Sequence, residues 1–216
     1  AKKNCNLFLT SMEENLGELK QELEKLNNKI LIKYQHSDLR KLENVNNLIR
    51  KIRDEFSTID ILINSAGENH RKPLSESTLD EFDSCMNLNA RAPFLLCKEF
   101  SGDMTEKKWG RIVNIASSSA HNGFKNAAIY CSSKHALLGL SRTLFAELKD
   151  SNVRTFCVAP GSMKTRMAKE DEGLLAEHDY NTFLEPSEVA EFITKIISYD
   201  NEMISQEISV NRLNIN

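Results

Sequence analysis

The feature that most constrains how this chain folds is a repeated alternation of short apolar runs with longer amphipathic segments. Short apolar runs are typical of buried strands, whereas apolar residues spaced three or four positions apart are typical of helices. The predicted strands lie near 6–10, 29–34, 59–63, 111–115, 153–158 and 207–210. The predicted helices lie near 13–26, 42–52, 78–103 and 127–149, and a last one begins at Pro186.

Strands that alternate with helices of this length form βαβ units with right-handed crossovers. We therefore predict an α/β fold, in which a doubly wound parallel sheet of the Rossmann type is the middle of three layers, α/β/α. No linker or low-complexity tract interrupts the pattern, so residues 1–216 are predicted to form a single domain. The acidic segment 169–180 is expected to be mobile. Ligands of such sheets bind beyond the carboxyl ends of strands, which directs attention to 35–40, 64–72, 116–126 and 159–180.

Charge and cysteine content exclude several classes of partner. The formal net charge of -3 offers no electrostatic attraction to nucleic acid or to an anionic membrane, and neither is expected as a partner. No apolar run approaches the length of a membrane-spanning helix. The five cysteines form no CxxC pair, which predicts reduced thiols, no metal site and a cytoplasmic location.

A tyrosine and a lysine four residues apart, Tyr130 and Lys134, lie on one face of the predicted helix 127–149. A phenol has a pKa near 10, and a neighbouring ammonium favours its ionised form, so the pair can transfer protons near neutral pH. One such pair is weak support, since tyrosine and lysine also share helix surfaces by chance. Ser117 ends the preceding strand, where a hydroxyl can hydrogen-bond a carbonyl oxygen that gains negative charge. Spacing does not decide which serine of 117–119 points inward.

Five segments place polar or small residues at strand ends and on helices: Asn64-Ser65-Ala66-Gly67, Asn89 to Phe94, Gly110 to Ser118, Tyr130 to Lys134, and Pro160-Gly161 with Thr165. In this order and at these separations they resemble the motifs of the short-chain dehydrogenases/reductases, and in particular the 3-oxoacyl-ACP reductases. The similarity extends from about residue 6 to the C-terminus. Ser65 departs from the family pattern, which has a second asparagine at that position.

The resemblance implies an NAD(P)-dependent oxidoreductase that interconverts a carbonyl and an alcohol of a small molecule by hydride transfer. It implies that Tyr130 transfers the proton and that Lys134 binds the nicotinamide ribose and lowers the pKa of Tyr130. Ser117 would hold the substrate carbonyl, and Asn89 would anchor a water in a proton relay to Lys134. The residues implied to contact the cofactor are Ser11, Asp38, Leu39, Asn64, Ala66, Gly67, Tyr130, Lys134, Pro160, Gly161 and Thr165.

The family's glycine-rich TGxxxGxG turn, which binds the pyrophosphate, is not found among the 8 glycines. That turn and the first strand would precede Asn6, and the strand would lie at the centre of a sheet of order 3-2-1-4-5-6-7. We expect the parent protein to carry this portion; the alternative is a truncated protein that holds a dinucleotide poorly. Thr10-Ser11-Met12 has no charge, and its small hydroxyl groups tolerate a 2′-phosphate, which favours NADP over NAD.

Two other functions stay open. The C-terminal segment 206–213 lacks the ending common in 3-oxoacyl-ACP reductases, so a dehydrogenase of a sugar derivative is one alternative. A non-catalytic dinucleotide-fold binding or scaffold protein is the other. The resemblance also implies a homodimer or homotetramer formed through 78–103 and 127–149. Ile129, Leu138 and Phe145 lie outside the main apolar stripe of the latter helix, which is consistent with burial on two sides.

Overall fold

Strands and helices alternate along the chain in the predicted order. The computed structural model describes residues 1–202 and 204–213. The strands are β1 (Leu7–Ser11), β2 (Ile32–His36), β3 (Ile61–Asn64), β4 (Gly110–Ile115), β5 (Val153–Pro160) and β6 (Glu207–Val210). The helices are α1 (Leu16–Leu26), α2 (Leu42–Glu55), α3 (Leu79–Met86), α4 (Ala92–Glu106), α5 (Ala128–Leu148), α6 (Arg166–Glu170), α7 (Glu172–Glu177) and α8 (Pro186–Ser198).

The chain divides into two compact units, Ala1–Thr58 and Ile59–Asn216. In the first unit β1 and β2 form a parallel pair, in which Leu7 lies opposite Ile32. The buried residues of α2 recur at helical spacing, which gives the helix one apolar face; they are Val45, Leu48 and Ile52. The prediction of one domain over 1–216 stays a prediction.

The second unit contains a parallel sheet of order β3-β4-β5-β6. Successive residues of its central strands point to opposite faces. One face packs against α8 through Val113, Ile115, Phe156, Val158, Val189, Ile193 and Ile196. The other face packs against α5 through Ala116, Cys157, Ala159, Leu137 and Leu138. Helices thus cover both faces of a parallel sheet, and the predicted doubly wound α/β architecture is confirmed.

The segment 169–180 contains the end of α6 and all of α7, two short helices that the sequence pattern does not predict, and its mobility stays a prediction. Both helices begin at a residue whose side chain accepts a backbone N–H: Thr165 accepts from Ala168, and Asp171 accepts from Leu174. Helices of five or six residues are too short to show an apolar period, so the hydrophobic pattern does not reveal them.

Two of the three apolar residues of α5 beyond its main stripe are covered within the chain, whereas Phe145 is only partly buried. Ile129 and Leu138 are each 4% exposed. Packing inside the same unit therefore explains their hydrophobicity, which no longer supports a second copy of the chain as their partner. The homodimer or homotetramer stays a prediction. Within the described part of the chain, no helix is long and apolar enough to cross a membrane.

Candidate active site

Asn89 lies where the helix predicted over 78–103 is interrupted. A π-helical turn, Asn87–Arg91, separates α3 from α4. Pro93 has no N–H to donate to the carbonyl of Asn89 four residues earlier, so the α-helical hydrogen-bond ladder is broken there. Such turns are frequent at functional sites. The prediction of one continuous helix was wrong, and the proline inside the pattern was the signal for the break.

The buried side chain of Asn89 connects the loop after β3 to α5. Its Oδ1 accepts from the backbone N–H of Glu68 at 3.0 Å, and its Nδ2 donates to the Glu68 carbonyl at 2.9 Å. The same Nδ2 donates to Ser133 Oγ at 2.9 Å, and Ser133 Oγ donates to the Tyr130 carbonyl at 2.8 Å. Asn89 therefore positions the helix that carries Tyr130.

Lys134 is buried beside the end of β4. Its side chain donates from Nζ to the carbonyl of Ile115 at 2.9 Å. A Cβ at Gly67 would lie 3.2 Å from Asn89 Oδ1 and 3.5 Å from Lys134 Nζ. The absence of a side chain at position 67 thus lets both polar groups approach the backbone of this loop closely.

Of the serines at 117–119, Ser117 is the one that faces Tyr130. Its side chain lies close enough to Tyr130 to influence the pKa of the phenol, and its Oγ accepts from the backbone N–H of Ser119 at 3.1 Å. Burial raises the pKa of Tyr130 to about 12, although the Ser117 hydroxyl acts in the opposite direction. The pKa of Tyr130 is therefore raised, whereas the sequence analysis predicts that it is lowered. The reason is that desolvation of the phenolate is the largest effect at this position.

The structure thus brings together all four predicted catalytic residues. Tyr130 and Lys134 are adjacent on α5, with Lys134 Nζ 5.6 Å from the centre of the Tyr130 ring. Ser117 contacts Tyr130, and Asn89 reaches the Tyr130 carbonyl through Ser133. The group combines a proton donor, a hydroxyl and a cation at the carboxyl edge of the sheet.

A cavity of about 510 Å³ opens beside Gly67. Its walls are the loop after β3 and the segment of α6 and α7. Asn69 Nδ2 donates to Asp171 Oδ2 at 2.8 Å, and Arg71 Nη2 donates to Glu177 Oε2 at 2.5 Å. These two contacts tie the helical segment to the loop after β3, and Asn69, Arg71 and Asp171 line the cavity.

The other predicted cofactor residues of this unit lie at or after the carboxyl ends of β3 and β5. Asn64 is buried, and Ala66 is exposed. Pro160 ends β5, Gly161 donates its N–H to the Val210 carbonyl at 2.9 Å, and Thr165 begins α6. Gly67 lines the larger cavity, whereas Gly161 lines a second one.

The predicted cofactor residues of the first unit lie at the carboxyl ends of β1 and β2. Leu39 is buried, and Ser11 Oγ accepts from the backbone N–H of Glu13. The Arg40 guanidinium pairs with Asp38 through Nε–Oδ1 at 2.8 Å and Nη2–Oδ2 at 3.0 Å, and it lowers the pKa of that carboxyl. Arg40 Nη2 also lies 3.5 Å from Met12 Sδ. An arginine that sequence reasoning passed over therefore lies at the end of β1.

Residues 1–173 match the short chain dehydrogenase family. The chain belongs to this family. It is therefore a member of a family of oxidoreductases. It is 31% identical over 169 residues to a (2S)-[(R)-hydroxy(phenyl)methyl]succinyl-CoA dehydrogenase subunit of Thauera aromatica, covering 76% of this chain and 68% of that protein. It is also 31% identical over 175 residues to a 3-oxoacyl-[acyl-carrier-protein] reductase of Rickettsia typhi, covering 78% and 71%.

Solved structures of this family share the fold. A 4-hydroxyisoleucine dehydrogenase complexed with NADH is 27% identical with a TM-score of 0.83, covering 97% of this chain and 88% of that one. A metagenomic short-chain oxidoreductase in complex with NADP is 25% identical with a TM-score of 0.81, covering 97% and 87%. The alignments with several other curated relatives span about half of those proteins.

A series of buried side-chain hydrogen bonds lies next to this group of candidate residues. Asn64 Nδ2 donates to Asn114 Oδ1 at 2.8 Å, and Asn114 Nδ2 donates to Ser141 Oγ at 2.9 Å. Ser141 Oγ donates to the Leu137 carbonyl at 2.8 Å. These hydrogen bonds link β3 to β4 and β4 to α5. Sequence reasoning missed Asn114 and Ser141, although a polar residue inside a buried strand run was a usable signal.

Burial lowers the pKa of Lys134 to about 8 from its usual value of 10.5. Below pH 8 both folded and unfolded chains are protonated, so the full cost of burying the charge is present. Between pH 8 and 10.5 the unfolded chain binds more protons, so stability rises with pH.

We expect Lys134→Met to raise the free energy of unfolding at pH 7 by about 2 kcal/mol. The variant removes the desolvation penalty of the buried ammonium, and this gain is larger than the stabilisation lost with its hydrogen bond. The gain should shrink toward pH 10.5. Urea unfolding at pH 7 and pH 10 measures both effects, and Lys98→Met on an exposed face of α4 is the control. A variant less stable than wild type at pH 7 would contradict the expectation.

Proposed function

We propose that this chain carries the catalytic part of an NAD(P)-dependent oxidoreductase that interconverts a carbonyl and an alcohol. The observation that carries the proposal is the contact of Ser117 with a partly buried Tyr130 beside a buried Lys134, inside a family of oxidoreductases. A surface tyrosine and lysine at the same spacing would have neither the burial nor the hydroxyl partner.

A nicotinamide dinucleotide is the proposed cofactor, since structural neighbours hold NADP or NADH. When bound, it supplies or accepts the hydride. The close approach of Lys134 and Asn89 to Gly67, and the cavity beside that glycine, fit a ribose that Lys134 would hydrogen-bond. The other proposed contacts are those predicted above at 64–67, 160–161 and 165.

Proton transfer is assigned to Tyr130. With a pKa raised to about 12, its hydroxyl is protonated at neutral pH and is ready to donate to an oxygen that gains negative charge. Ser117, which lies beside Tyr130, would hold the same substrate oxygen. These protonation states favour carbonyl reduction as the working direction at neutral pH.

We propose that Asn89 takes part in the next step of proton transfer through its backbone carbonyl. Its side-chain amide is engaged with Glu68 and Ser133. Pro93 leaves the Asn89 carbonyl without its α-helical donor, so this oxygen is the group that would accept from a water leading to Lys134.

NADP is proposed over NAD because of Arg40. Its guanidinium lies beside Met12 at the end of β1, where a 2′-phosphate would meet a cation. We expect Arg40→Gln to weaken binding of 2′-phosphoadenosine fragments about tenfold or more and to leave adenosine fragments unchanged. Calorimetry of both ligands measures this, with Arg50→Gln, exposed on α2, as control. Equal weakening of both ligands would reject a phosphate contact.

Cofactor titration separates this proposal from a non-catalytic binding or scaffold protein. Binding of NADPH or NADH, followed by oxidation in the presence of a panel of ketones and keto sugars, supports an oxidoreductase. Binding without turnover for wild type, under conditions in which a related reductase turns over, favours the binding module. The sugar-derivative dehydrogenase is distinguished by the panel, since only keto sugars would then be reduced.

A further inference from the structure

A second cavity, of about 320 Å³, lies between the end of β5, the segment before α8 and the residues after β6. Its polar side chains come from Ser162, His178, Thr182, Asn211 and Arg212. Among the described residues that line it, no side chain is a carboxylate. By contrast, four acidic residues line the larger cavity, which are Glu68, Glu170, Asp171 and Glu172. The two cavities therefore differ in the charge of their walls.

Arg212 is held in place at this cavity by main-chain acceptors. Its Nη1 donates to the carbonyl of Asn181 at 2.6 Å and to the carbonyl of Phe183 at 3.1 Å. Both acceptors are neutral, so they orient the guanidinium without neutralising it. Charge-assisted hydrogen bonds from a fixed guanidinium are the usual means of recognising a carboxylate or a phosphate.

The two carboxylates that flank the accepting segment 181–183, Asp179 and Glu185, are engaged with other groups. Asp179 Oδ1 accepts from the backbone N–H of Asn181 at 2.9 Å. Glu185 Oε1 accepts from Lys164 Nζ at 2.5 Å. The positive charge of Arg212 therefore remains available to a ligand in the cavity.

Backbone contacts fix other parts of the wall. Gly161 donates its N–H to the Val210 carbonyl at 2.9 Å, and Asn211 Oδ1 lies 3.0 Å from where a Cβ of Gly161 would be. The Ser162 carbonyl accepts from Leu184 at 2.9 Å. These contacts tie β5, β6 and the segment before α8 together, which gives the cavity a preformed shape of a size suited to a small molecule.

We propose that this second cavity binds a small anion, the carboxylate or phosphate group of a metabolite, through Arg212 with Ser162, His178 and Asn211. The cavity is lined by none of Asn89, Ser117, Tyr130 and Lys134, although it shares Gly161 with the proposed cofactor contacts. Its ligand is defined by one or two negative oxygens on a compact body.

The test titrates the full chain with inorganic phosphate, with succinate and with uncharged succinamide, and follows the amide resonances of Gly161, Ser162 and Arg212 by NMR. We expect one or both anions to shift these resonances saturably and succinamide to leave them unchanged. Phosphate alone would indicate a phosphorylated ligand, and succinate alone a carboxylate. No saturable shift with either anion, or equal shifts with succinamide, would overturn the proposal.

Three variants test whether the anion binds in this cavity. Arg212→Gln should weaken anion binding about tenfold or more. Ser162→Asp adds a negative charge to the wall, keeps the Arg212 contacts and should weaken binding similarly, which covers the case in which Arg212→Gln disturbs the fold. Arg166→Gln, at the larger cavity, is the control and should leave binding unchanged. Unchanged binding in a folded Arg212→Gln or in Ser162→Asp would reject the site.

Discussion

Replacing Tyr130 with phenylalanine is expected to lower carbonyl reduction by about 10²–10⁴-fold, the range for loss of a general acid. The variant removes one oxygen and keeps the ring, so the packing of α5 is preserved. The phenolic hydroxyl, which lies beside Ser117, is the only group lost. Steady-state rates with NADPH or NADH, compared with circular dichroism and cofactor affinity, separate a chemical loss from a folding loss.

A matched control is Tyr199→Phe, which removes the same atom from a residue that is 51% exposed. It should leave the rate unchanged. Ser117→Ala should lower the rate less than Tyr130→Phe, because it removes a positioning hydrogen bond and leaves the proton donor. A Tyr130→Phe enzyme with wild-type turnover would show that another group donates the proton.

The second large effect is expected at Arg111, on stability. This residue is fully buried on β4, yet it carries a charge. Its guanidinium donates to the carbonyls of Ile197 and Tyr199 at the end of α8, both at 3.2 Å, and to Asp200 Oδ1 at 2.8 Å. It therefore satisfies carbonyls that a helix end leaves without partners.

We expect Arg111→Ala to lower the free energy of unfolding by about 3–5 kcal/mol, since it opens a cavity and strips the hydrogen bonds from the end of α8. Urea denaturation measures the change. Arg111→Met should be less destabilising, because it retains the buried aliphatic volume and loses only the hydrogen bonds.

Arg142→Ala is the control for Arg111. Arg142 forms an exposed ion pair with Glu207, through Nε–Oε1 at 2.7 Å, and such pairs contribute little to stability. If Arg111→Ala and Arg142→Ala had equal effects, the guanidinium under α8 would not be an anchor of the fold.

The order of strands and helices was readable from the sequence because it depends on local periodicity. The buried strands β4 and β5 and the long helix α5 lie within a few residues of the predicted ranges. The same local reading failed at Asn89, where the period of the helix continues across a π-helical turn. It also failed at α6 and α7, which are too short to display a period.

By itself, the sequence determined the fold class, since the order of alternating elements identifies it. Its resemblance to a family proposed Asn89, Ser117, Tyr130 and Lys134 as candidate catalytic residues, whereas spacing alone left the serine open within 117–119. The tertiary structure alone decided which serine faces the tyrosine and in which direction the pKa of Tyr130 moves. It also decided that Asn114 and Ser141 pair beneath the site, that Arg40 lies beside Met12 and that a second cavity has no acidic wall among the residues described. The physical reason is that burial and contacts between residues far apart in the chain set these properties. Neither produces a hydrophobic periodicity that can be read from the sequence.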